Sequence, residues 1–183
     1  MLHPPPLLLL PFALALGHPQ EVGPPTRVAH VDLERYVGLW HEIARIPNRF
    51  QKQCVWGVTA EYALRTDGRI SVINRCFRRD GSVDEAKGVA RVEDKDTNAQ
   101  LKVSFFSLLG WRPVWGDYWI IDLADDYSHA VVCSPDRTYG WILARQPHLS
   151  DQVLDGIHAR LRQQGFDPDV FVPTPQEVPA QGG

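Results

Sequence analysis

Gly38-Leu39-Trp40-His41-Glu42-Ile43-Ala44-Arg45 decides the fold. A Gly and a Trp open a run that alternates like a strand, directly after a Pro-rich leader. A distant counterpart, Trp141-Ile142-Leu143-Ala144-Arg145, reads as a strand ending on a cation. A small barrel needs a large flat side chain to plug one end and something cationic to sit against it. Trp40 and Arg145 supply such a pair, and a guanidinium on an indole is worth roughly 0.5–2 kcal/mol.

Between these ends the chain is a succession of short strand signals separated by turn residues. Leu39–Ile46 stops at Pro47-Asn48, and Val55–Leu64 and Arg69–Phe77 flank the hairpin signal Thr66-Asp67-Gly68. Val83–Val92 follows, with Ala86, Gly88 and Ala90 on one face. Leu101–Phe106, Asp117–Leu123, Ser128–Ser134 and Tyr139–Arg145 complete eight segments. Eight antiparallel strands in up-and-down order close into a barrel with room for one small ligand, and closure removes sheet edges. Ser150 as N-cap, Asp151 in the first turn, a stripe of Val153, Leu154, Ile157 and Leu161, and a stop at Gly165 predict one C-terminal helix on the outside. Asp169–Val172 is expected to add a short strand.

The 183 residues predict one domain. A net charge of −3 offers no basic footprint for nucleic acid. Seven of the 15 prolines fall within the first 25 residues, so leader and body differ in kind. The apolar run Leu7–Leu16, ending in Ala15 and Gly17, is far shorter than the ~20 residues of a membrane span. It reads as a secretory signal over residues 1–17, followed by a Pro-rich linker over 18–30. The main domain is then 31–173, with a flexible tail over 174–183. The first cysteine is Cys54, so no N-terminal Cys is on hand for a lipid anchor.

These residues resemble the lipocalin family, in the branch of bacterial lipocalins and apolipoprotein D. Gly38-x-Trp40 is similar to the family's first motif, Asp125-Asp126-Tyr127 to its second, and Arg145 to its third. The topology agrees. Alternate connections of an up-and-down barrel lie at opposite ends, which puts Trp40, the Asp126-Tyr127 connection and Arg145 all at one end. The other end, the mouth, carries the 47–53, 107–116 and 134–138 loops.

The resemblance implies a carrier, not an enzyme, for fatty acids, lysophospholipids or similar amphiphiles in an exported setting, periplasmic or outer-membrane-associated. It implies no cofactor. By parity and resemblance the lining residues are Tyr62, Asn74, Val103, Phe105, Trp119 and Ile121. Gly38, Trp40, Asp126, Tyr127 and Arg145 are expected to be structural. Cys54 and Cys76 both reach the mouth and would form a bridge pinning the first loop. Cys133 reaches the same end, and three buried thiols are the alternative. Leu108, Leu109, Trp111 and Trp115 make an unusually apolar loop, suited to touching a membrane or a partner subunit, including a second copy, or to folding over the cavity. Two other functions compete: a barrel enzyme using Cys76 as a cavity thiol, and a protein-binding module. The seven histidines show no metal-ligand spacing.

Overall fold

The computed structural model describes residues 23–178. The expected signal segment, the start of the linker and the last five residues lie outside them. A short helix α1 (Leu33–Tyr36), capped by Asp32, precedes eight strands. They are β1 (Gly38–Arg45), β2 (Trp56–Leu64), β3 (Ile70–Phe77), β4 (Val83–Val92), β5 (Gln100–Ser104), β6 (Gly116–Leu123), β7 (His129–Cys133) and β8 (Gly140–Ala144). Each pairs antiparallel with the next, and β1 closes the ring by pairing with both β2 and β8. It divides the task along its length: Gly38–His41 face β2, while His41–Arg45 face β8.

A bulge between Glu42 and Ala44 marks that change of partner. Trp40 and Glu42 point into the barrel, whereas Ala44 joins the outer apolar cluster. Helix α2 (Asp151–Gln163) lies over that cluster, with Ser150 as its N-cap. Its Ile157 and Leu161 pack with Val131, Cys133 and Ile142 on the barrel's outer face. A second cluster fills the closed end around Trp40, Tyr36, Ile120 and Leu101.

Three expectations need correction. The Pro-rich linker is packed from about Pro25 onward: Pro25 is buried, and Val28 N–H donates to Ile120 O at 3.0 Å. Arg27 lies over the Trp119 ring at 5.0 Å. A cation stacked on an indole anchors that segment despite its loop-like composition. Likewise, Asp169 falls in a 3-10 turn, Pro168–Val170, and the short strand is β9 (Val172–Pro173), paired with β1. Pro168 presets the turn and lacks an N–H for a ladder. Finally, the tail is pinned through its first residues. Thr174 N–H donates to Ile43 O at 2.9 Å, Pro175 O accepts from Gly57 N–H at 2.8 Å, and Gln176 Nε2 donates to Glu42 O at 2.7 Å. These bonds occupy backbone groups that β1 and β2 leave open where the two strands diverge.

Candidate ligand-binding site

The closed end is built from the three motif regions. Trp40 is fully buried, and its Nε1–H donates to Tyr36 O at 2.8 Å. The Arg145 guanidinium stacks 3.8 Å from the Trp40 ring centroid and donates to the carbonyls of Leu39, Arg35, Tyr36 and Val37. One cation thus ties up the orphan carbonyls where α1 turns into β1. Gly38 sits at φ +100°, and a Cβ there would meet Arg145 Nη1 at 3.4 Å. Its place in the motif follows from both facts. Tyr127 lies under Arg35 at 4.0 Å and its hydroxyl accepts from Asp32 N–H at 2.9 Å, while Asp126 caps the turn by accepting from Ser128 N–H.

Above this plug lies a cavity of about 830 Å³, open at the opposite end. Its walls are mainly apolar: Val58, Val72, Ala90, Leu101, Val103 and Leu143. The small residues of β4 make the room. At Gly88 a Cβ would come within 2.7 Å of the Phe105 ring, so glycine lets that ring lie flat on the wall.

Polar groups are few and placed at distinct heights. On the floor Tyr118 Oη lies 2.8 Å from Tyr36 Oη and 3.1 Å from Tyr62 Oη. Burial raises all three phenol pKa values: Tyr62 to about 12, Tyr36 and Tyr118 well above the usual value. They stay neutral at any physiological pH. Midway up, the Asn74 Oδ1 atom is buried without a partner among the described residues. Nearer the mouth, buried Glu42 accepts from Arg45 Nη1 (2.6 Å), Thr174 Oγ1 (2.7 Å) and Gln51 Nε2 (2.6 Å). Gln51 in turn accepts from Trp141 Nε1 at 2.9 Å. This network fastens the first mouth loop to the wall.

Cys54 and Cys76 are disulfide-bonded, with Cα atoms 5.4 Å apart, on the cavity rim. Cys133 ends β7 on the mouth side, as expected, but faces outward and is buried beneath α2, where burial pushes its thiol up to about 12. With Cys76 bonded to Cys54, the cavity thiol that an enzymatic reading needs is not free.

Tyr62, Asn74, Val103 and Phe105 line the cavity together. Trp119 and Ile121 do not: they face outward into the cluster under α2, and Tyr118 and Ile120 take the inner positions. The cause is that β6 is covered on both faces. Tyr118-Trp119-Ile120-Ile121 is a continuous apolar run with no alternation to give its phase. Tyr36, Tyr118 and Glu42 were missed. Glu42 carried a usable signal, a carboxylate in phase with inward-facing Trp40. Tyr36 carried none, because α1 is too short for a periodicity.

The apolar mouth loop splits in two. Trp115 is partly buried, with the outward-facing Arg91 guanidinium 4.4 Å over its ring, and borders the cavity mouth. Leu108 and Trp111 exchange backbone hydrogen bonds of 2.8 and 2.9 Å around Leu109 (φ 50°) and Gly110 (φ 83°), a tight turn of the hairpin kind. Leu109 is completely exposed and Trp111 is 66% exposed. A leucine held in the left-handed region at a cost of about 1–2 kcal/mol gains no internal contact in return.

Barrel, external helix, sealed floor and open apolar cup together define a small-molecule carrier architecture. A family model described as a lipocalin-like domain matches residues 31–176. The chain is 43% identical over 148 residues to outer membrane lipoprotein Blc of Escherichia coli (strain K12), covering 80% of each. It is 36% identical over 145 residues to apolipoprotein D of Rattus norvegicus, covering 74% of this chain and 72% of that one. Insecticyanin from the tobacco hornworm Manduca sexta shares the fold, with a TM-score of 0.66 at 23% identity over 86% of each chain. The chain belongs to the lipocalin family, in the branch of Blc and apolipoprotein D. Its fold and relatives support the binding of small hydrophobic ligands.

Proposed function

We propose that this chain is a non-catalytic carrier of fatty acids, lysophospholipids or similar amphiphiles in the cell envelope. The observation that carries the reading is the barrel cavity: about 830 Å³, walled by aliphatic side chains, sealed below and open above. Each methylene moved from water into it contributes about 0.8 kcal/mol. A charged head group stays at the mouth, where Arg49, Lys52 and Arg112 are found. An exported location, periplasmic or outer-membrane-associated, is supported by the resemblance to outer membrane lipoprotein Blc.

The ligand is exchanged at a membrane surface touched by the Leu108–Trp111 turn. Support comes from a fully exposed Leu109 beside a largely exposed Trp111, next to the entrance. Replacing Leu109 and Trp111 with Ser is expected to weaken sedimentation with anionic vesicles severalfold; unchanged binding would leave the turn as a protein contact, including a homodimer contact. Mass spectrometry of lipids extracted from the purified protein tests the carrier reading. Stoichiometric fatty acid or lysophospholipid is expected, and a non-lipid polar molecule in its place would refute the ligand class.

A further inference from the structure

The floor of the cavity contains a count that does not balance. Tyr36, Tyr62 and Tyr118 bring three hydroxyl hydrogens to a chain of two hydrogen bonds, Tyr36 to Tyr118 and Tyr62 to Tyr118. Among the described residues these are the only hydrogen bonds the three hydroxyls make. Each bond uses one hydrogen, and each phenol has one to give. Whichever way the chain is oriented, one O–H is left over. If Tyr118 donates to one neighbour, that neighbour's own hydrogen is free. If both neighbours donate to Tyr118, its hydrogen is free.

The surplus donor cannot be relieved by ionisation, because burial keeps the phenols neutral. Nor does a carboxylate take it: Glu42, which lines the same cavity, accepts instead from Arg45, Gln51 and Thr174. All three tyrosines line the cavity. A plain alkyl terminus resting on this floor would bury an unpaired O–H, which is unfavourable. A carboxylate there would be desolvated without a cation, which is worse.

We infer that the cavity floor is a specificity site for a neutral oxygen acceptor at the buried end of the ligand. Resting on the carrier reading above, this narrows the ligand class to amphiphiles whose inner end carries a carbonyl, hydroxyl or ether oxygen. An oxo- or hydroxy-acyl chain satisfies the description. Its head group remains at the mouth, its methylenes line up with the aliphatic walls, and its inner oxygen takes the free phenol hydrogen. Asn74, partway up the wall, adds a second unpaired acceptor position for a ligand donor.

The test compares hexadecanoic acid with 15-oxohexadecanoic acid on the delipidated protein and on a Tyr36→Phe/Tyr62→Phe/Tyr118→Phe variant. Dissociation constants come from displacement of a fluorescent fatty acid. The double ratio cancels the ketone's own hydration cost. The ratio of the two affinities is expected to favour the oxo acid about tenfold more in the wild type than in the triple variant. A double ratio of one overturns the inference while leaving the carrier reading intact. Failure of both acids to bind the wild type removes the carrier reading itself.

Tyr118→Phe alone separates this site from general polarity. It breaks both bonds and leaves two free donors, so the preference is expected to persist or grow; a folded Tyr118→Phe protein without any preference contradicts the count. An infrared measurement needs no variant. The ¹³C-labelled ketone band of the bound oxo acid is expected at lower frequency than in hexane, and an unshifted band overturns the assignment.

Discussion

Replacing Arg145 with Met isolates the contribution of the floor seal. The side chain keeps an apolar stem while the guanidinium is lost. The structure assigns that group a stack on Trp40 at 3.8 Å and four carbonyl partners. The stack contributes about 1 kcal/mol. Of the carbonyls, those of Leu39 and Arg35 are bonded at exposed positions and can be rehydrated. Tyr36 O keeps Trp40 Nε1–H as a donor, which leaves Val37 O alone. Charge-assisted bonds are taken at the low end of their range, about 1.5 kcal/mol each, because Arg145 is partly exposed. One to two such bonds plus the stack give about 3 kcal/mol. For a chain of this size that is a fall in Tm of roughly 6–12 °C. Urea unfolding followed by circular dichroism measures it directly. Arg145→Lys, which keeps the charge without the planar fork, is expected to lose about half as much. A double-mutant cycle with Trp40→Leu should return a coupling of about 1 kcal/mol. An Arg145→Met protein within about 0.5 kcal/mol of wild type, or a coupling of zero, would refute the reasoning.

Removing the rim bridge as Cys54→Ser/Cys76→Ser, a pair 22 residues apart, should cost about 3 kcal/mol by the loop-entropy estimate; thermal melts in the absence of reductant check this. Alkaline pH should destabilise the fold through the floor phenols. Their pKa values are raised on folding, so their contribution is complete below pH 10 and is lost as pH climbs toward 12. For Tyr62 alone the loss is on the order of a few kcal/mol, visible as a falling urea midpoint that Tyr62→Phe reduces. Buried Cys133 adds a loss beginning near pH 9, which Cys133→Ala should remove. Asn74→Leu, by deleting a buried acceptor without a partner, should raise stability by about 1 kcal/mol in chemical denaturation; destabilisation would mean that the amide holds the empty wall together.

What could be read from the residues depended on whether a segment had one buried face or two. The Tyr62 and Asn74 strands form a hairpin with a solvated outer face, so alternation and the Asp67-Gly68 turn determined both register and inward phase. β6 offered no such contrast, since the cavity covers one side and α2 the other; Trp119 and Ile121 were therefore placed on the wrong face. The floor seal was legible because Trp40, Tyr127 and Arg145 sit at topologically equivalent ends of their strands. The tyrosine cluster was not. It joins α1, β2 and β6 through side-chain tips, and no local pattern reports a meeting of residues 36, 62 and 118. Composition also misled at both borders. Pro25–Val28 and Thr174–Gln176 look like linker and tail, yet backbone hydrogen bonds and an Arg–Trp stack fasten them to the barrel.

The cup's capacity to hold a greasy ligand is tested most directly by equilibrium titration of the delipidated protein with a fluorescent fatty acid. One saturable equivalent per chain is expected, displaced by unlabelled fatty acid and abolished when Ala90 on the cavity wall is replaced by Trp. Absence of saturable uptake by a folded wild-type protein, or uptake undiminished in Ala90→Trp, would contradict a ligand site inside the barrel.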